Sequence, residues 1–291
     1  MVLQFIVNGL CAGALFGLAA LGLSLIYNVT RVFHFAHGAV YATAAYLLLF
    51  FVTKASVSIV PAAALAVALA ALFGLLIDKA FYLPLADKKS GGTASILTSL
   101  GLYIVVINIL ALIFGNETKI LRSGIEKTFE IGTVIVTRVQ VAQLVAFLVL
   151  FLATELLLKF SRYGRLIRAV SDNGNLAEAL GLEIKKARAL AFAYGSGLAA
   201  VAACLAAVDV GIDPYIGMPI TLIAAVAMIF GGIRVFGAAA LGGLIIGVVQ
   251  NLVVWQTSAK WQAAATFVIL LAVLIFKPQG LLTPKKRLEE S

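Results

Sequence analysis

The chain has 291 residues, of which 63% are hydrophobic and 12% are charged, and its net charge is +9. A charged share about half that of ordinary soluble domains excludes a typical water-soluble globular protein. The positive charge would suggest a nucleic-acid partner in a soluble protein, but here the basic residues lie between long apolar runs, where they set membrane orientation. We therefore expect a single transmembrane domain over residues 1–291, embedded in the lipid bilayer and without a nucleic-acid partner.

Nine apolar runs follow one another along the chain. A backbone inside a bilayer must satisfy its own hydrogen bonds, and the runs are longer than barrel strands, so they predict an all-α, polytopic bundle of about eight or nine spans. The predicted helices cover residues 4–27, 37–52, 59–77, 94–115, 139–158, 189–208, 216–232, 236–254 and 262–276. Two of them, 37–52 and 216–232, are at or below the usual minimum for a span. They are either re-entrant helices around a path or simply short spans.

Lysine and arginine are unevenly distributed between the two sets of connections. When the C-terminal tail is placed in the cytoplasm, most of them fall on that side, chiefly at 79–89, 159–188 and 277–287. The positive-inside rule then predicts an N-terminus outside and a C-terminus in the cytoplasm. The connection 116–138 becomes the main extracytoplasmic loop, which is either a solvated loop with a small hairpin or a surface for a charged partner.

The longest polar stretch, residues 159–188, lies between the fifth and sixth apolar runs. Arg165 and Arg168 lie three residues apart, while the apolar residues between and after them share another face. This pattern predicts a short amphipathic helix along the membrane surface.

Directly after that helix, Asp172 and Asn173 can cap a second short helix, and Gly181 can end it in a left-handed conformation. A helix of this length does not hold itself together in water, so it requires the neighbouring membrane helices or a separate protein as a docking partner. An ordinary solvated loop is the alternative. We favour a contact with a soluble subunit, because capped apolar positions have no evident use in a mere connector.

Few ionisable groups lie inside the apolar runs, which limits the chemistry of the chain. No series of acidic residues crosses them, which weakens proton- or sodium-driven transport. The sequence has no phosphate-binding loop with its Lys and Ser/Thr, so ATP, if used, is bound by another chain. His34 and His37 share a face without a nearby carboxylate, which makes a poor metal site. Asp209 lies near Pro214 at a predicted outer mouth, where it either attracts an ammonium group or is simply solvated.

Four motifs occur in order along the chain. They are Phe33-His-Phe-Ala-His-Gly38; Tyr82-Leu-Pro-Leu85 with Ile96-Leu-Thr-Ser-Leu-Gly101; Gly164-Arg-Leu-Ile-Arg-Ala-Val170 with Ala177-Glu-Ala-Leu-Gly-Leu182; and Phe276-Lys-Pro-Gln-Gly-Leu281. Together they resemble the integral-membrane permease subunits of branched-chain (hydrophobic) amino acid ABC transporters, a family that also includes urea and short-amide importers. The chain departs from that pattern at His34, where Asn is usual, and at Arg234-Val-Phe236, where a small, Gly-rich turn is usual.

The resemblance implies a type II-like ABC importer in a bacterial or archaeal plasma membrane. Such an importer has two permease chains, identical or homologous, two ATPase subunits and an extracytoplasmic solute-binding protein. This chain would be no enzyme and would bind no cofactor, because ATP and Mg²⁺ would be used by the ATPase subunits. Its expected substrates are branched-chain or other hydrophobic amino acids. The alternatives are a urea or short-amide ABC permease and a self-sufficient channel for a small neutral solute.

The resemblance also assigns expected roles within the chain. Segment 159–188 would couple the bundle to the ATPases through Asp172, Asn173, Asn175, Leu176, Glu178, Ala179, Leu180 and Gly181. Arg165 and Arg168 would face the cytoplasm beside them. The candidates for the substrate path are His34, His37 and Asp209.

Overall fold

A computed structural model describes residues 1–88, 91–121 and 128–282. The described residues form twelve α-helices: α1 (Val2–Thr30), α2 (His37–Thr53), α3 (Ile59–Ile77), α4 (Leu83–Asp87), α5 (Gly92–Phe114), α6 (Arg138–Phe160), α7 (Arg162–Asp172), α8 (Gly174–Ala179), α9 (Ile184–Asp209), α10 (Gly217–Gly231), α11 (Phe236–Gln256) and α12 (Gln262–Phe276). A π-helical turn, Asp78–Tyr82, joins α3 to α4, and a 3₁₀ turn, Ala259–Trp261, precedes α12. Residues 122–127 of the predicted external loop and most of the basic C-terminal tail lie outside the described ranges.

The predicted all-α membrane bundle is confirmed. Seven of its helical stretches are long and apolar enough to span a membrane, and α2 and α10 are shorter apolar helices. A small hairpin, which the sequence left as one of two alternatives for the connection before α6, is present. Its strands β1 (Thr128–Ile131) and β2 (Val134–Thr137) pair antiparallel, with Thr128 opposite Thr137.

Helix α1 lies at the centre of the bundle, and most of its length is buried. Small residues allow this position. A Cβ atom at Gly13 would lie 2.8 Å from the Cα of Leu244 in α11, so only glycine permits the observed approach of the two backbones. Gly22 meets Gly195 of α9 in the same way. The sequence therefore uses glycine on α1 for close helix packing, as small residues do in other membrane bundles.

The two short helices α2 and α10 begin inside the bundle. His37 starts α2, and its Nε2 lies 3.2 Å from the backbone oxygen of Ala19, about 16 Å before the end of α1 at 1.5 Å per residue. The next residue, Gly38, packs backbone to backbone on Gly217, the first residue of α10, and a Cβ on Gly38 would lie 2.7 Å from the Gly217 oxygen. Their lengths are short because both helices start where protein, not lipid, covers the polar backbone.

The bundle has two distinct ends, which we call the hairpin end and the α7–α8 end. At the hairpin end, the side chain of Gln4 donates to the Ile135 carbonyl oxygen and accepts from its N–H, both at 2.8 Å. At the other end, Arg31 donates to the Ser171 carbonyl oxygen at 2.6 Å, and Leu281 donates to the Phe230 carbonyl oxygen at 2.8 Å. The N-terminal and C-terminal parts of the described chain therefore lie at opposite ends. Which end faces the cytoplasm stays a prediction of the positive-inside rule.

Candidate coupling segment

Helix α7 turns sharply away from the end of α6. Ser161 is the only residue between them, and its hydroxyl accepts a hydrogen bond from the Gly164 N–H at 2.8 Å, which caps α7. A Cβ atom on Gly164 would lie 2.5 Å from the Cα of Leu158. The hydroxyl cap and the missing side chain together let the new helix start against the last turn of α6.

The two faces of α7 differ as the sequence predicts. Ile167 and Val170 are buried, whereas Arg165 and Arg168 are exposed. Arg165 also donates to the Phe160 carbonyl oxygen at 3.2 Å, so it satisfies one of the carbonyl groups left free at the end of α6. The amphipathic helix therefore lies on the bundle with its apolar face inward.

Helix α8 is capped at both ends. The Asn173 Oδ1 accepts from the Leu176 N–H at 3.0 Å, while Asp172, the other predicted cap, is the last residue of α7. At the other end Gly181 has a φ of 77°, in the left-handed region. The Gly181 and Leu182 N–H groups donate to the carbonyl oxygens of Glu178 and Ala177, each at 2.9 Å, which is a Schellman motif. Local hydrogen bonds therefore define this very short helix.

Helix α8 presents apolar side chains outward. Ala177 is buried, but Leu176 is 56% exposed and Leu180 is 72% exposed. Asn175, Glu178 and Ala179 are also exposed, so polar groups flank the two leucines. A cavity of about 320 Å³ lies between α7 and the residues that follow α8, with Tyr163, Leu166 and Leu182 in its lining. Exposed apolar side chains with a polar rim are typical of a protein interaction site.

A series of polar contacts connects this end to the bundle interior. Arg31, which holds Ser171 of α7, lies in the same turn as His34, and His34 Nδ1 lies 2.9 Å from the Tyr82 hydroxyl. Arg188, near the start of α9, donates to Asp78 Oδ1 at 2.6 Å, and both side chains are more than nine-tenths buried. Helix α7 is therefore held to the turn after α1, and that turn and the start of α9 are both held to the π-helical turn after α3.

Sequence reasoning missed the pair formed by Asp78 and Arg188. The apolar run assigned to α3 ends directly before Asp78, and the run assigned to α9 begins directly after Arg188. Both residues therefore resemble loop charges in the sequence. A charged residue at the edge of each of two long apolar runs is the one signal that could have suggested a pair.

The candidate path residues lie in two places. His34 and His37 are fully buried, and the ring of His34 packs on Phe192 of α9 at a centroid distance of 5.1 Å. Asp209 is the exposed last residue of α9, roughly 25 Å beyond Phe192 along the helix, and it accepts a hydrogen bond from Gln143 at 2.9 Å. The three residues therefore do not form one site, and their role in a path stays a prediction. Among the described residues, no group of three or more His, Cys, Asp or Glu side chains is placed to hold a metal ion.

The fold and this segment define a multi-pass membrane subunit that presents a capped, apolar-faced helix at one end of its bundle. Comparison with known proteins assigns the chain to a family. Residues 5–276 match the family described as the permease component of the branched-chain amino acid transport system, and the chain belongs to that family. Members of this family are permease subunits of ABC transporters, not enzymes.

Individual relatives agree with the family assignment. The chain is 30% identical to the permease protein BraD of Pseudomonas aeruginosa, with 96% of this chain and 95% of BraD covered. It is 29% identical to the permease protein LivH of Escherichia coli K12, with the same coverage. Both relatives are named as parts of high-affinity branched-chain amino acid transport systems. PsaBC of Streptococcus pneumoniae, solved in complex with a Fab, shares the fold, with a TM-score of 0.54, 12% identity and coverage of 95% of this chain and 93% of that chain.

Proposed function

We propose that this chain is the membrane-spanning permease subunit of an ATP-driven importer for branched-chain or other hydrophobic amino acids. An external binding protein delivers the solute, and a second permease, identical or homologous, completes the membrane part. Two separate ATPase subunits bind ATP with Mg²⁺ and hydrolyse it. The support is the family match over residues 5–276 and the near full-length similarity to BraD and LivH, which are named for this transport.

The observation that carries the proposal is the exposed face of α8. Leu176 and Leu180 project from a helix capped by Asn173 and Gly181, so a groove on an ATPase subunit gains apolar contact without first having to order the helix. Glu178 and the neighbouring Asn175 add polar contacts at the rim of this face.

Closure of the ATPase pair would move α8, and two contacts favour transmission of that movement. Ser171 at the end of α7 is held by Arg31, which belongs to the turn that leads into α2. Arg188 at the start of α9 is held by Asp78 in the π-helical turn. In this account, a shift of α8 displaces α2 and α3 together and changes which side of the membrane can reach the solute path.

The path candidates then act at separate steps. Asp209 at the hairpin end attracts the ammonium group of an arriving amino acid, if that end faces the binding protein. His37 lies deeper, beside the junction of α2 and α10 at Gly38 and Gly217. Two helices that start side by side inside a membrane bundle resemble the discontinuous helices found around other translocation paths.

Stimulation of ATPase activity by loaded binding protein in the complete importer tests the proposal. We expect Leu176→Asp combined with Leu180→Asp to insert normally and to abolish the stimulation. Leu282→Asp is the matched control, because Leu282 is 41% exposed at the same end but lies outside α8. Normal stimulation in the α8 variant would contradict the assignment of α8. Solute uptake by the purified chain alone, without nucleotide, would instead favour a channel.

A further inference from the structure

A cavity of about 510 Å³ lies between α1, α10, α11 and α12. Sites for small molecules usually have volumes of roughly 300–1,000 Å³, so a small solute fits in it. The turn between α11 and α12 forms part of the wall through Ala259 and Lys260. This turn lies far from the α7–α8 end, because the 15 residues of α12, about 22 Å, separate it from the segment that bonds to Phe230 there. The cavity therefore extends inward from the hairpin end.

Most of the cavity wall is apolar. Phe16 of α1, Ile223 of α10 and Phe267 of α12 line it from three helices. Phe16 is partly exposed although its neighbours Leu15 and Leu18 on the central helix are buried, so this part of α1 faces the cavity. Such a wall favours a ligand with an apolar side chain, because contact removes the apolar surfaces of both from water.

Gln250 places a polar group in this apolar wall. The residue is only 5% exposed, and its Nε2 donates to the Thr266 hydroxyl at 2.6 Å. That hydroxyl donates its own proton to the Gln262 carbonyl oxygen at 3.0 Å, so it has to accept from Gln250, and the carboxamide is fixed in one orientation. The Gln250 Oε1 accepts no hydrogen bond from the described residues. An acceptor held in this way in an apolar cavity indicates a ligand with an N–H or O–H donor.

Two further polar side chains line the cavity. Asn251 donates through Nδ2 to the Gly247 carbonyl oxygen at 3.1 Å, and its Oδ1 accepts no hydrogen bond from the described residues. Lys260 is exposed and forms no ion pair within the described part of the chain. Gln250 lies six residues before the end of α11, about 9 Å below the turn that carries Lys260. The cavity therefore has two acceptors at depth and a positive charge near its outer end.

We propose that this cavity binds one molecule of an apolar α-amino acid. The carboxamide oxygens of Gln250 and Asn251 accept from its ammonium group, and its side chain packs on Phe16 and Ile223. The Lys260 ammonium, on a flexible four-carbon stem, reaches the carboxylate. An acyl chain of a lipid has no donor and would leave both acceptors unsatisfied, so the polar groups favour the amino acid.

This inference rests on the proposed function, which supplies the solute, and it adds a binding site to that function. The cavity is distinct from the other path candidates, because neither His37 nor Asp209 lines it. It lies on the same side of the bundle as the hairpin, where the proposed function places the arriving solute.

Photolabelling tests whether an amino acid enters the cavity. The complex of permeases and ATPase subunits, without binding protein, is reconstituted in vesicles and irradiated with a diazirine analogue of leucine. We expect mass spectrometry to find the label in residues 248–267, and an excess of leucine to prevent it. A photoreactive fatty acid, used in a parallel sample, identifies a lipid site. Labelling of this segment by the fatty acid alone, or leucine-sensitive labelling only elsewhere in the chain, would overturn the inference.

Competition with leucinamide, which lacks the carboxylate, tests Lys260. We expect leucine to block labelling of the unaltered complex at a concentration about tenfold lower than leucinamide does, because a charge-assisted hydrogen bond is lost with the amide. Lys260→Met should remove this preference and Lys260→Arg should keep it. Lys54→Met is the matched control, because Lys54 is also exposed but follows α2 and does not line the cavity. An unchanged preference in Lys260→Met would contradict the role of the lysine.

Substitutions of Gln250 test the acceptor oxygen. We expect Gln250→Leu to raise the concentration of leucine that blocks half of the labelling by about tenfold. Gln250→Glu keeps an acceptor at the same place and should retain the competition by leucine. A purely structural role would make both variants fail alike, so an equal loss in the two, or no loss in Gln250→Leu, would contradict the assignment.

The inference and the proposed function fail in different ways. If no hydrophobic amino acid, delivered by the binding protein, stimulates the ATPase activity of the complete importer, the proposed function fails. If stimulation is found but the leucine analogue labels no residue of the cavity, only the assignment of the cavity fails.

Discussion

Arg188 of α9 and Asp78 of the π-helical turn form a buried ion pair, with 2.6 Å between Nη2 and Oδ1 and both side chains more than nine-tenths buried. Arg188 lies near the start of α9, the helix that follows α8 in the chain. Asp78 precedes Tyr82, whose hydroxyl lies 2.9 Å from His34 Nδ1 in the turn between α1 and α2. The ion pair therefore joins the start of α9 to the π-helical turn, and the contact between Tyr82 and His34 joins that turn to the one between α1 and α2.

We expect Arg188→Met to destabilise the chain strongly. The substitution leaves Asp78 buried without its partner, and breaking a buried pair in this way costs about 3–5 kcal/mol. Combining it with Asp78→Leu removes the orphaned charge and should recover most of the loss. Thermal unfolding in detergent measures both effects.

An exposed ion pair nearby provides the control. Lys185 lies 3.3 Å from Asp87, with 70% and 56% of the side chains exposed, so Lys185→Met should cost at most about 1 kcal/mol. Equal unfolding temperatures for the Arg188 and Lys185 variants would show that the buried pair of Arg188 and Asp78 stabilises the fold no more than the exposed pair does.

The left-handed end of α8 predicts different effects for the same substitution at two glycines. Both Gly174 and Gly181 have open space where a Cβ atom would lie, but only Gly181 has a positive φ. Gly181→Ala should therefore cost roughly 1–2 kcal/mol, which corresponds to about 5–30-fold less protection of the α8 amides from hydrogen exchange. Gly174→Ala should leave protection unchanged or increase it. If the two variants behave alike, the cap does not determine the stability of α8.

The asparagine cap predicts a second difference within the same segment. Asn173→Ala removes the acceptor for the Leu176 N–H and should cost about 1 kcal/mol of helix stability. Asn175 is exposed and caps nothing, so Asn175→Ala should have little effect on the same amides. Hydrogen exchange read by mass spectrometry over 174–182 distinguishes the two variants, and a larger loss with Asn175→Ala would contradict the capping role.

The sidedness of the bundle can be measured by thiol labelling. In a background with Cys11→Ala and Cys204→Ala, which replaces the two buried cysteines, Arg168→Cys marks the α7–α8 end and Glu130→Cys marks the hairpin end. A membrane-impermeant reagent should label Glu130→Cys in spheroplasts and Arg168→Cys in inverted vesicles, because the positive-inside rule places the basic segment in the cytoplasm. The opposite pattern would reverse the topology.

The helices and the capped segment were predictable because their signals are local. Long apolar runs identify membrane helices, and Asn173 and Gly181 mark the ends of α8 through contacts a few residues away. The extension of α1 through Thr30 was missed, because Asn28 and Thr30 look like loop residues in the sequence. Asn28 is nevertheless buried, where its Nδ2 donates to the Ser24 and Ile233 carbonyl oxygens.

Other features depend on how helices pack, which one sequence does not reveal. Asp78 and Arg188 are 110 residues apart and meet only because α3 packs on α9. The start of α2 inside the bundle likewise depends on the contact between Gly38 and Gly217. Apolar residues surround α5 on most sides, so periodicity does not distinguish its packed face from its exposed face.

Co-purification from the native membrane is the most direct test of an importer that is coupled to ATPase subunits through α8. The tagged chain is solubilised gently, and its partners are identified by mass spectrometry, with Leu176→Asp plus Leu180→Asp as the comparison. We expect ATPase subunits and a second permease to accompany the unaltered chain, and we expect the variant to lose the ATPase subunits but keep the permease. Retention of the ATPase subunits by the variant would contradict the role of α8, and recovery of the unaltered chain alone, still able to move solute without nucleotide, would contradict the importer itself.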